Sequence, residues 1–169
     1  TEGLSGSIDE LIQENETRGN LRMKHTLIAA ISLMLASPVL AGGHAATGDA
    51  VAGEAVFGKQ CVACHLVVND DGEKLAGRNG KSGPNLYNIA GAGAGMVKDY
   101  RYGKSIVTAG AENGLIWNEE TFVAYVQDPK GFLRTFLDDK KARAKMSYKV
   151  RDEEDARNVY AYLFSLSAE

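Results

Sequence analysis

Two cysteines, three histidines, three prolines and one tryptophan in 169 residues leave several protein classes out of reach. A single pair of thiols cannot staple a disulfide-dense secreted scaffold. No apolar run reaches about 18 residues, which argues against a polytopic membrane protein. The formal net charge is −3, so the broad positive surface that holds nucleic acid is lacking. Apolar–polar alternation persists nowhere, so no strand is expected. What is present is ordinary: 44% hydrophobic and 24% charged residues describe one folded domain with chain to spare.

The spare chain lies at the front. Residues 1–22 are polar, hold five carboxylates and show no useful apolar face; they are expected to be an upstream extension or an expression scar, with no role assigned. Met23-Lys24-His25-Thr26 then opens the stretch LIAAISLMLASPVLA, with Pro38 near its end and Ala41 at its close. A positive start, a short apolar stretch and a small final residue describe a secretory signal peptide over 23–41. Cleavage after Ala41 is expected, with Ala46 as the alternative. An uncleaved anchor is the competing reading, but the stretch falls short of the roughly 20 residues a spanning helix needs. A short leader, 42–48, and one folded domain, 49–169, follow. The exported part carries 16 bases against 17 acids.

Both cysteines fall in Cys61-Val62-Ala63-Cys64-His65. Cys-x-x-Cys-His is the attachment signature of c-type haem. Residues three apart on a helix share a face, so two thiols can add to two vinyl groups along one porphyrin edge. The next residue then carries an imidazole to the iron. A zinc site would need a fourth ligand, and only His44 is on offer. A thioredoxin-like pair would need a βαβ pattern, which is missing. One haem c, attached at Cys61 and Cys64 and ligated by His65, is the reading.

An iron that shuttles electrons without binding oxygen needs a sixth ligand. Met96, in the Gly-rich tract Ala90-Gly91-Ala92-Gly93-Ala94-Gly95, is expected to sit on flexible chain. Met146 lies in Ala144-Lys145-Met146-Ser147-Tyr148-Lys149, where a methionine has no evident core role. Met146 is therefore the expected ligand; its soft thioether favours ferrous iron and raises the potential.

Four helical stretches surround these residues, with a further short piece. The first covers 49–64, capped by Asp49, and brings Gly53, Phe57, Cys61 and Cys64 within an arc of about 80°. A short one lies around 104–110. Asn118 caps a third, with Glu119 and Glu120 in its first turn and Asp128-Pro129 at its end. A short piece spans Gly131 to Leu137. The last follows Asp152 and shows Ala156, Val159, Tyr160 and Leu163 at i, i+3, i+4, i+7. Gly-rich loop is expected from the first helix to residue 100. The fold class is all-α, helices and long loops wrapped around one prosthetic group.

Together these motifs resemble the class I cytochromes c, and within them the bacterial cytochromes c2. The resemblance covers about 49–166. It rests on Gly53-x-x-x-Phe57-x-x-x-Cys61, the CVACH run, Lys81-Ser82-Gly83-Pro84-Asn85-Leu86-Tyr87, Leu115-Ile116-Trp117, Tyr125-Val126-Gln127-Asp128-Pro129 and Lys145-Met146. It implies that Gly53 and Phe57 pack against Val159 and Tyr162, and that the Pro84 carbonyl accepts from the second imidazole nitrogen of His65. It further implies that Tyr102 and Trp117 hydrogen-bond a buried propionate and that Tyr125 lies near the Met146 sulfur. Ala92 stands where the family usually has an arginine near the propionates.

The implied function is single-electron carriage by a monomer, not enzymatic catalysis. Lys130, Arg134, Lys140, Lys141, Arg143, Lys145 and Lys149 face only Asp138 and Asp139 in the segment that carries Met146, a local charge of +5. Such a patch steers fast, salt-sensitive encounters with acidic partners. By resemblance the donor is a cytochrome bc complex, and the acceptor a photosynthetic reaction centre, terminal oxidase or peroxidase. The rival from another class is an open-site haem enzyme or gas sensor, which would want a distal base; no second histidine is available near that loop.

Overall fold

Asp49 starts the first helix by accepting from Val51 N–H at 2.8 Å and Ala52 N–H at 3.1 Å. Such a cap is worth about 1 kcal/mol. The helix, α1, runs Ala50–Gln60. The computed structural model describes residues 46–167. The chain divides into two units, Thr1–Val39 and Leu40–Glu169, and every described residue belongs to the second. The expected extension and signal peptide, 1–41, and the leader as far as residue 45 lie outside the described residues.

After α1 come a two-stranded antiparallel hairpin, β1 Leu66–Val68 and β2 Lys74–Gly77, and then α2, Lys104–Val107. A π-helical turn, Thr108–Glu112, continues α2, and α3 Glu119–Gln127, α4 Pro129–Phe136 and α5 Glu153–Ser165 complete the order. Local signals set most of these boundaries. Asn118 caps α3 by accepting from Thr121 N–H at 2.8 Å, Pro129 occupies the first turn of α4, and Asp152 caps α5 at Asp155 N–H.

The core forms where α1 crosses α5 and where α5 meets α3. A Cβ on Gly53 would lie 2.5 Å from the backbone carbon of Asn158 and 2.9 Å from Tyr162 Cβ. Only a glycine lets the two backbones come so close. One turn on, the Phe57 ring stands 5.6 Å from Tyr162, and Phe122 of α3 stands 5.4 Å from Tyr160. Phe57 and Tyr160 are almost wholly buried, each burial being worth about 1.5–3 kcal/mol. Buried Asn158 is satisfied by taking the Asp49 N–H at 2.7 Å. Thr47 donates both its N–H and its hydroxyl to Glu119 at 2.8 Å, so the end of the leader is pinned to α3.

Four features differ from the sequence reading. The first helix ends at Gln60, not 64, because Cys61 N–H makes its last bond, to Phe57. Cys64 N–H and His65 N–H then both turn back to the Cys61 carbonyl, at 3.1 and 2.9 Å, so the thiols still sit three apart on one turn. The expected unbroken loop contains the hairpin, too short and too irregular in register to leave an alternating pattern. The Gly-rich tract is held, not loose: Ala94 is fully buried and donates to Leu115, while Gly91 donates to the Trp117 carbonyl, both at 2.8 Å. The piece expected over Gly131–Leu137 begins two residues earlier, at Pro129, and ends at Phe136.

Candidate functional site

His65 leaves the turn after α1 and reaches the Gly83-Pro84 segment. Its Nδ1–H donates to the Pro84 carbonyl at 3.0 Å, which fixes the tautomer and leaves Nε2 as the nitrogen able to hold a metal. A Cβ on Gly83 would strike this ring, lying 2.5 Å from Nδ1 and 2.8 Å from Nε2, so only a bare backbone can pass this close to the imidazole. Burial lowers the histidine pKa, partly offset by the Pro84 bond, which keeps the ring neutral as a ligand must be.

The two thiols are unbonded to each other, Cys61 partly buried and Cys64 exposed. Burial, with Cys64 beside it, pushes the Cys61 thiol up to about 12, so it is held protonated and is a poor nucleophile unaided. Among the described residues no three His, Cys, Asp or Glu side chains converge on a bare ion. Two thiols three apart, a neutral imidazole with one nitrogen committed to the backbone, and a glycine that clears the ring fit a covalently attached haem.

The two candidate methionines differ sharply. Met96 is 61% exposed, whereas Met146 is half-buried against the core. Trp117 is buried, its ring 4.9 Å from Tyr125, which in turn meets Phe132 edge-on at 5.9 Å. Tyr100 and Tyr102 form a T-shaped pair at 4.7 Å. Ala92 is held by its backbone: it donates to Ile89 at 3.1 Å and accepts from Trp117 N–H at 2.9 Å.

Burial pushes the Tyr102 phenol up to about 12 against a lowering Val97 backbone bond, and raises Tyr125 to about 12 with Tyr100 and Tyr102 adding to it. Both stay neutral hydrogen-bond donors at physiological pH. Their contribution to stability is full below the unfolded value near 10 and is lost as pH rises from about 10 through about 12. Ring-carbon NMR during alkaline titration is expected to show these two ionising above pH 11; titration near 10 would contradict their burial.

The seven cations divide in two. Lys149 pairs with Asp128 at 2.8 Å, Arg134 Nε–H donates to Ala142 at 3.3 Å, and Lys145 Nζ donates to the Arg101 carbonyl while lying 4.6 Å above the Tyr100 ring. All seven are exposed, and the side chains of Lys130, Lys140, Lys141 and Arg143 carry no such tie among the described residues. Lys141, Arg143 and Lys145 join Lys104 around an open groove of about 670 Å³ that also holds Glu112 and Asp139.

Sequence reasoning missed three residues. Asn158 could have been suspected as a polar residue inside the apolar run of α5. Tyr100, whose hydroxyl donates to the Ser82 carbonyl at 2.7 Å, and Gln60, whose amide joins Tyr148 and Asp155, carry no local signal because their partners are remote in sequence.

No protein-family model matches the chain. It is similar to a cytochrome c2 of Rhodovulum adriaticum, 57% identical over 108 residues, which cover 64% of this chain and 85% of that protein. A cytochrome c-551 of Roseobacter denitrificans is 45% identical over 146 residues, 86% of this chain and 97% of the relative. The crystal structure of cytochrome c2 from Rhodobacter sphaeroides matches with a TM-score of 0.67 and 48% identity, over 70% of this chain and 95% of that one. Likeness at this level joins the CVACH turn and its surrounding helices to one fold. The chain belongs to the class I c-type cytochromes of the cytochrome c2 type, electron-transfer proteins rather than enzymes, and carries one covalent haem c.

Proposed function

We propose that the protein is a monomeric periplasmic carrier that takes single electrons from a cytochrome bc complex and delivers them to a photosynthetic reaction centre, terminal oxidase or peroxidase. The observation that carries this reading is the His65 imidazole, fixed by Pro84 with Nε2 left for iron, in a chain whose half-buried methionine is Met146. Export by residues 23–41 accompanies it. No described helix is long and apolar enough to cross a membrane.

Cys61 and Cys64 would hold the group by thioethers, and His65 and Met146 would bind its iron. When bound, haem supplies a one-electron ferric–ferrous couple. Together His65 and Met146 would leave no position for an outside ligand, restricting the site to electron exchange. Pro84 keeps the imidazole from rotating between oxidation states, so little reorganisation accompanies transfer. Tyr102 and Trp117 would donate to a propionate, and Tyr125 would shield the Met146 side from water. With alanine at position 92, the propionate relies on those two donors without the family's usual arginine.

Docking uses the exposed cations of the Met146 segment. Lys140, Lys141, Arg143 and Lys130 steer acidic partners, while Lys145, Lys149 and Arg134 add charge from tethered positions. Charge reversal at Lys140 and Lys141 is expected to slow oxidation by an isolated acceptor complex about tenfold or more at low salt, the difference shrinking as salt rises. Stopped-flow rates across ionic strengths test this; an unchanged rate at low salt would remove the docking assignment.

A further inference from the structure

Among the described residues, no backbone hydrogen bond involves positions 144–149, the stretch that carries Met146. The chain on either side is anchored: Arg143 N–H donates to Ser105 Oγ at 3.0 Å, and Val150 N–H donates to Val126 at 2.9 Å. Between those anchors the loop is held through side chains. Lys145 reaches the Arg101 carbonyl, Lys149 reaches Asp128, and Tyr148 reaches Gln60.

The Tyr148 bond differs from the other two. Its hydroxyl donates to Gln60 Oε1 at 3.1 Å, and Gln60 Nε2 in turn donates to Asp155 Oδ2 at 3.1 Å. Gln60 is the last residue of α1, directly before Cys61, and Asp155 stands in the first turn of α5. The strap therefore ends on the packed α1–α5 junction, beside the residue that begins the haem attachment. Lys145 and Lys149 instead end on a loop carbonyl and an exposed carboxylate. The Tyr148–Gln60 bond is exposed as well, Tyr148 being 48% exposed, so where it ends is what sets it apart.

We propose that Tyr148 is a positioning residue for the Met146 thioether: through Gln60 its hydroxyl ties the Met146 loop, whose backbone makes no hydrogen bond among the described residues, to the start of the haem attachment turn. The inference rests on Met146 being the sixth ligand. A loop without backbone bonds opens locally at little cost, and each opening frees the sixth position. The strap makes opening rarer, because the hydroxyl must leave its partner as the sulfur leaves the iron.

Imidazole titration of the ferric holoprotein reads the opening, since added imidazole takes the sixth position only when methionine is off. Tyr148→Phe removes the hydroxyl and keeps the ring and charge. Apparent imidazole affinity is expected to rise roughly fivefold, the weight of one net hydrogen bond, with the urea midpoint of global unfolding falling by no more than that one bond accounts for. Gln60→Ala is expected to match it, and the double variant to add nothing further, because both remove one bond. An unchanged affinity in Tyr148→Phe, whether or not the urea midpoint falls, or additive effects in the double variant, would overturn the proposal. Met146→Ala separates the two readings. If it binds imidazole much more tightly while Tyr148→Phe does not, only the strap fails; if it binds like wild type, the ligand assignment itself fails.

Discussion

Met146→Ala is expected to lower the reduction potential of the holoprotein by a few tenths of a volt, within the roughly 0.8 V that axial ligands span. The reason is electronic. Thioether sulfur is a soft donor that stabilises ferrous iron, and water or hydroxide in its place favours the ferric state. Met96→Ala is the control: that side chain is 61% exposed, whereas Met146 packs half-buried against the core. Met96→Ala is expected to leave potential and visible spectrum at wild-type values. Equilibrium redox titration of both variants distinguishes them, and a large fall in Met96→Ala alone would exchange the two methionines.

Gly53→Ala sets two effects against each other. Helix propensity favours alanine over glycine by about 1 kcal/mol inside a helix. Against it, the new Cβ would meet the Asn158 carbonyl and lie 2.5 Å from its carbon, backbone atoms that cannot rotate aside. Separating α1 from α5 would loosen the Phe57–Tyr162 contact and the Asp49–Asn158 bond together. Overpacking that shifts backbone costs about 1–3 kcal/mol, occasionally more, and a clash with immovable backbone atoms lies at the upper end, so the steric effect wins. Gly58, on the same helix, has nothing within 4 Å of its would-be Cβ. Gly58→Ala is expected to stabilise by up to about 1 kcal/mol. Urea unfolding of the two holoproteins should move in opposite directions. A stabilised Gly53→Ala protein would mean that α1 and α5 cross less closely than described.

What was legible in the sequence was chemistry that needs contiguous residues. The CVACH run names the cofactor because thiol spacing and the following imidazole are local requirements. Helix starts were readable at Asp49, Asn118 and Asp152, since a cap and its helix adjoin. Helix ends were harder. Nothing in Gln60-Cys61-Val62 marks a stop, because the turn there is shaped by what His65 must reach rather than by propensity. The hairpin escaped because three and four residues with a broken register offer no period to detect. The tract 90–96 reads as loose from its glycines, yet the remote segment Leu115–Trp117 pairs with it and buries Ala94. Lys145 and Lys149 read as docking charges from composition, while their tethers to Arg101 and Asp128 depend on how distant segments fold together.

The most direct test of the electron-carrier account is the visible spectrum of the reduced holoprotein with and without carbon monoxide. The account predicts a covalently held haem whose spectrum is unaltered by the gas, because His65 and Met146 close both faces of the iron. Ready binding of carbon monoxide by the wild-type protein would contradict it, leaving an open sixth position and a ligand-binding haem protein in place of a carrier.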